Sequence, residues 1–150
     1  AGSRIVYTSG RKAVAIDIRS DSICWQVNSG AVADSVMPGL IVQNNTVFLW
    51  GHQSCKAVDL ETGRMLFRHP IECANVNGMS PWILIIDYEG QLTVIHEKTG
   101  KLVKSLRLPE TADERYGISY GCKPGFDGHT GVFLFGKYHA YYFPELLNQK

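Results

Sequence analysis

A chain of 150 residues, 45% hydrophobic and 19% charged, has enough apolar side chain for a packed core and too little charge for a disordered coil. Its net charge is +1 with Lys and Arg scattered, which argues against a nucleic-acid or anionic-membrane partner, since either needs a basic cluster. The longest apolar run, Trp82 to Ile86, is far too short to cross a bilayer as a helix.

In chain order, Ala1-Gly2-Ser3 reads as an expression-tag remnant, so one repeat domain is expected over residues 4–150. "KAVAIDI" and "ICWQV" then flank the polar turn "RSDS", rich in β-branched and apolar residues as strands are. "GLIVQ" and "TVFLW" are joined by Asn44-Asn45, a pair suited to a tight hairpin turn. The same Asn44-Asn45-Thr46 is a glycosylation acceptor if the protein is secreted. "CKAVDL", the turn "ETGR" and "MLFRH" form a second hairpin. A strand near "CANVN", then "WILIID", the turn "YEG", "QLTVIH", the turn "KTGK" and "LVKSLRL" follow. No window holds a capped 3.6-residue stripe, so helices are not expected.

Eleven residues recur. "AIDIRSDSICW" begins at Ala15, "AVDLETGRMLF" at Ala57, "VIHEKTGKLVK" at Val94, and a fainter "AYYFPELLNQK" at Ala140. Anchored on Asp17, Asp59, His96 and Tyr142, the copies lie 42, 37 and 46 residues apart. A period near forty marks repeat architectures, and here each copy is a β-hairpin preceded by two more strands. Asp17 and Asp59 are expected to cap their turns with their carboxylates, and Gly63 and Gly100 to supply positive φ. The unit is four short antiparallel strands, one blade of a β-propeller. The tally is three strands of a first blade, two complete blades and three strands of a last one, roughly fourteen strands. The expected fold class is all-β, a β-propeller-type array of about three and a half to four blades.

The eleven-residue copies resemble the tryptophan-docking repeat of quinoprotein-type propellers, a PQQ-like family that shares its architecture with WD-repeat propellers. Its pattern, Ala-x-Asp-x-x-Thr-Gly-Lys-x-x-Trp, is matched by Ala57, Asp59, Thr62 and Gly63, with Arg64 for Lys and Phe67 for Trp. The first copy matches through Ala15, Asp17 and Trp25, with Ser20-Asp21 for Thr-Gly. The third keeps Thr99, Gly100 and Lys101 but has His96 for Asp and Lys104 for Trp. No Gly-His…Trp-Asp signature of the WD type occurs. The resemblance implies that Trp25 and Phe67 wedge between neighbouring blades, and that Lys104 leaves its junction irregular or open to solvent. It implies little about function, because such repeats occur in enzymes and in scaffolds.

Quinoprotein enzymes of that family need a full ring, a calcium site and usually adjacent cysteines; Cys24, Cys55, Cys73 and Cys122 have no adjacent pair, and no cofactor is expected. His52, Cys55, His69 and Cys73 have the elements of a zinc site without a recognised spacing, and read instead as turn histidines and core thiols, so no metal is expected. Cys24 and Cys55 fall in strand patterns as small buried apolar groups, and a reducing, intracellular and cytoplasmic setting is expected. No catalytic motif such as G-x-S-x-G or H-E-x-x-H is present, and the chain is expected not to be an enzyme. The glycine-rich "GCKPGFDGHTG" reads as an inter-strand loop, with Lys123, Phe126, Asp127 and His129 as candidate binding contacts. The aromatic "YHAYYFPELL" reads either as a buried blade strand or as an interface, with Tyr138, Tyr141, Tyr142 and Phe143 as its candidate residues. The function these readings favour is a non-enzymatic protein–protein interaction scaffold, a partial propeller that self-association or a longer chain would complete. The alternative is a fragment or relative of a quinoprotein-like enzyme or small-ligand-binding propeller.

Overall fold

A computed structural model describes residues 3–29, 39–51, 54–108, 123–126, 132–135 and 140–145. Every regular element among the described residues is a strand. In chain order these are β1 (Arg4–Ser9), β2 (Lys12–Asp17), β3 (Ser22–Asn28), β4 (Gly39–Gln43), β5 (Thr46–Trp50), β6 (Cys55–Asp59), β7 (Met65–His69), β8 (Asn75–Met79), β9 (Trp82–Ile86), β10 (Gln91–His96), β11 (Leu102–Arg107), β12 (Lys123–Phe126), β13 (Val132–Phe135) and β14 (Ala140–Phe143). They form four antiparallel sheets, each in simple sequential order: β1-β2-β3, β4-β5-β6-β7, β8-β9-β10-β11 and β12-β13-β14. The three–four–four–three division is the one the repeat spacing predicts.

The chain divides into two compact units. One holds residues 1–73 together with the turn Glu97–Gly100; the other holds residues 74–96 and 101–150. In the first unit, the core is Ala13, Ala15, Trp25, Val47, Leu49 and Val58, with Val6, Val27, Leu40 and Leu60 packed around it. One face of β1-β2-β3 therefore lies against one face of β4-β5-β6. In the second unit, Leu84, Ile86, Leu92, Val94 and Leu108 form the core, with Met79, Trp82, Val103, Leu106 and Phe143 against it. Inner strands are buried on both faces, which is why "TVFLW" and "WILII" read as continuous apolar runs rather than as alternation. The outer strands β3, β7 and β11 are largely exposed and alternate more.

The three repeat hairpins share one irregularity. Ala15 pairs with Trp25 but Ile16 with Ile23; Ala57 pairs with Phe67 but Val58 with Met65; Val94 pairs with Lys104 but Ile95 with Leu102. Each outer strand thus carries one extra residue, Cys24, Leu66 or Val103, a β-bulge near the start of the strand. This corrects the expectation for Cys24. It is exposed rather than buried, because the bulge takes it out of the register that would turn it inward. The small Ala15 and Ala57 stand directly opposite the aromatic wedges, where a larger side chain would collide with the ring's own packing.

Candidate functional site

The turns after β2 and β6 are each built around a carboxylate. Oδ1 of Asp59 accepts the N–H groups of Glu61 and Thr62 at 3.0 and 2.8 Å and the Thr62 hydroxyl at 2.8 Å. Its Oδ2 accepts the side-chain amide of Asn45 at 3.2 Å. Asp17 repeats the arrangement with the N–H groups of Arg19 and Ser20 at 2.8 and 3.3 Å, and its Oδ2 accepts the Ser3 hydroxyl at 3.0 Å. The Thr62 hydroxyl, foremost, holds the Asp59 carboxyl below its ordinary value; for Asp17 the Arg19 N–H does so first, with the Ser3 hydroxyl next. Both carboxylates accept the N–H groups of their own turns.

The turns are also receptors. Gly63 has φ +69°, and the ring of Trp25 lies on it so closely that a Cβ there would stand 2.7 Å from Trp25 Cγ. The indole Nε1 donates to the Leu60 carbonyl at 2.8 Å. Arg4 donates to the same oxygen at 3.0 Å and pairs with Glu61 at 2.7 Å. Phe67 repeats the docking on Gly100 (φ +66°), where a Cβ would stand 2.5 Å from Phe67 Cγ. Having no N–H, Phe67 leaves the polar contact to its strand neighbour: His69 Nε2 donates to the Gly100 carbonyl at 2.7 Å. Phe48 and His69 flank the Phe67 ring with centroids 5.8 and 5.5 Å away. Lys104, the third residue at the wedge position, is exposed.

Among the described residues the first unit buries two charges that the comparison of the repeats did not anticipate. Lys56, 7% exposed, donates its ammonium to the Asn28 carbonyl. Burial, then the Arg68 guanidinium, lowers its pKa. Glu97, 2% exposed, accepts the side-chain amides of Gln43 and of Asn44, the latter at 3.0 Å. The signal was present in the alignment of the copies: Lys56 stands where the first repeat has Val14, and Glu97 where the second has Leu60. A charge at a position that is apolar in a sister repeat has to find a buried partner. Asn44 and Asn45 have φ of 44° and 64°, the hairpin geometry expected of them. A glycan on Asn44 would displace its bond to Glu97.

Of the candidate zinc ligands, His69 is engaged with Gly100, and Cys73 Sγ lies 3.3 Å from the Ile71 carbonyl. Cys55 is a buried thiol, and His52 lies outside the described residues. No group of three His, Cys, Asp or Glu side chains converges among the described residues. The expected binding loop begins differently: Lys123 and Phe126 are the two ends of strand β12, paired with Phe135 and Val132, because the first half of the glycine-rich stretch extends into a ladder. Asp127 and His129 lie outside the described residues, as does Tyr138. Tyr141, Tyr142 and Phe143 are in β14; Tyr142 is exposed, and Phe143 packs on the core of the second unit.

No family model matches the chain, and no curated protein matches it in sequence. Solved structures do. BamB from Moraxella catarrhalis superposes with a TM-score of 0.70 at 15% identity, over 99% of this chain and 45% of that one. The fold is a β-propeller-type array of blades. The computationally designed Ika4 protein matches at TM-score 0.66 and 13% identity, over 95% of this chain and 86% of that one. A europium-containing methanol dehydrogenase matches at 0.56 and 19%, over 70% and 23%. The chain spans less than half the length of BamB, and at these identities the likeness is one of fold.

Proposed function

We propose that this chain is a non-enzymatic protein–protein interaction scaffold built from propeller blades. The observation that carries the reading is the use to which its reactive side chains are put. Asp17, Asp59, His69, Lys56 and Glu97 each hold a turn or a sheet junction. Beside them, several large apolar side chains face outward: Ile18, Ile23, Met65 and Leu102 are all more than half exposed. The last three occupy equivalent positions, six residues after each repeat anchor. A recurrent exposed aliphatic on a rigid strand suits recognition of a protein surface. A reducing, intracellular setting fits the thiols of Cys24, Cys55 and Cys73.

The likeness to a methanol dehydrogenase supports a second reading, a fragment or relative of an enzyme or small-ligand-binding propeller. One experiment separates the two. A photo-crosslinking residue at position 18, in protein expressed at native abundance, is expected to capture one heterologous protein in stoichiometric yield. Absence of any such adduct, with a small molecule released on denaturation and identified by mass, would favour the second reading.

A further inference from the structure

The second sheet places two cations directly opposite each other. Lys56 on β6 pairs across the ladder with Arg68 on β7, so both side chains leave the same face of the sheet. Like charges in that relation destabilise the pair. The sister sheets put no charge there: the equivalent pair is Val14 and Gln26 in the first repeat, Thr93 and Ser105 in the third. On its other flank Lys56 meets Leu49, which is fully buried.

The two side chains differ in depth. Lys56 is 7% exposed, and its ammonium reaches the Asn28 carbonyl at the end of β3. Arg68 is exposed. An ammonium carries three N–H groups, and among the described residues one of them is taken. Neither cation pairs with a carboxylate among the described residues, where the salt bridge of this unit joins Arg4 and Glu61. Burial and the Arg68 guanidinium both oppose the charge on Lys56. A buried cation calls for a compensating anion, and here the fold supplies a second cation instead. Departures of this kind from otherwise consistent packing concentrate at functional sites. One ammonium held by a carbonyl and one exposed, planar guanidinium beside it suit the oxygens of a carboxylate or phosphate group.

We infer that Lys56 and Arg68 form a binding site for an oxyanion, a carboxylate or phosphate group that neutralises both. The site stands whether the blades recognise a protein or a small molecule, since an acidic side chain and a free anion bring the same chemistry. The test is melting temperature in sodium phosphate, sodium acetate and sodium chloride at neutral pH and matched ionic strength. At about 50 millimolar anion, a site of millimolar affinity raises it by several degrees over chloride, and that is the expected result. Lys56→Met and Arg68→Gln each remove one cation and are expected to shrink the rise several-fold. Arg64→Gln, an exposed change just before β7, is expected to leave it intact. Arg68→Gln installs on the surface the residue that the first repeat has at this position, so it carries the test if Lys56→Met disturbs folding. A rise with acetate as well as phosphate points to an acidic side chain as the natural occupant. A rise with phosphate alone points to a phosphate group. Equal melting temperatures in the three salts, or a rise as large in Arg68→Gln as in the unaltered chain, would overturn the inference. None of these outcomes bears on the crosslinking test, which asks for a captured protein.

Discussion

Asp59 satisfies four donors with two oxygens, and the turn it closes exists because of them. Asp59→Ala strips a capping acceptor from an exposed turn and is expected to cost about 1 kcal/mol, read from the urea midpoint at constant m-value. The pH dependence follows from the sign of the shift. Asp17 and Asp59 hold their charge more firmly folded than unfolded, so their contribution is whole above the ordinary value of 3.8 and is lost as pH falls through their folded values. Melting temperature is expected to drop on acidification below that value, less steeply in an Asp17→Asn, Asp59→Asn double variant. Lys56 has the opposite sense: its folded pKa is lowered, so it disfavours folding at neutral pH and the penalty fades as pH rises toward its ordinary 10.5. Lys56→Met is expected to remove that alkaline gain, measured as melting temperature between neutral pH and the lysine range.

At the scale of the hairpin, the aromatic and the glycine are one device. Gly63 and Gly90 both have positive φ, but an added Cβ meets Trp25 at Gly63 and nothing within 4 Å at Gly90. Gly90→Ala is expected to cost about 1 kcal/mol for backbone strain alone, and Gly63→Ala about 2 kcal/mol more, because the indole must move. Denaturant titration of the two variants side by side measures the docking itself. Trp25→Phe keeps the wedge but loses Nε1. Arg4 still donates to the Leu60 carbonyl, so the loss is expected to stay near 1 kcal/mol. These parts were legible in sequence because they are local: an acid, a turn, a glycine and an aromatic at fixed offsets. Cys24 was misread because a bulge breaks alternation without any residue that announces it. Glu97 and Lys56 were missed because their partners, Asn44 and Asn28, lie 53 and 28 residues away.

At the largest scale, sheet-on-sheet packing inside each unit implies that stability there is distributed by nearest neighbours, as in other blade and solenoid arrays. The inner strands β5, β9 and β10 are buried on both faces, and the outer strands β3, β7 and β11 are not. Native-state hydrogen exchange is expected to be slowest in those inner strands and fastest in the outer ones. Uniform protection across each sheet would show that the blades open only together. The number and grouping of strands were readable from turn spacing. The division into two compact units was not, since it depends on contacts that no repeat pattern encodes. Lys123 and Phe126 illustrate the remaining gap: the glycine-rich stretch around them suggested a loop, yet β13 offers a ladder that outweighs local preference.

The recurring bulge has a consequence for how such a gene can change length. Successive anchors stand 42, 37 and 46 residues apart, so insertions elsewhere in the repeat are absorbed. Between the aspartate and the aromatic the count is fixed. Side chains alternate along a strand, and losing or gaining one codon there would turn the ring to the opposite face and empty the junction. A length change elsewhere in the repeat leaves each ring on its glycine; a length change within those few positions does not.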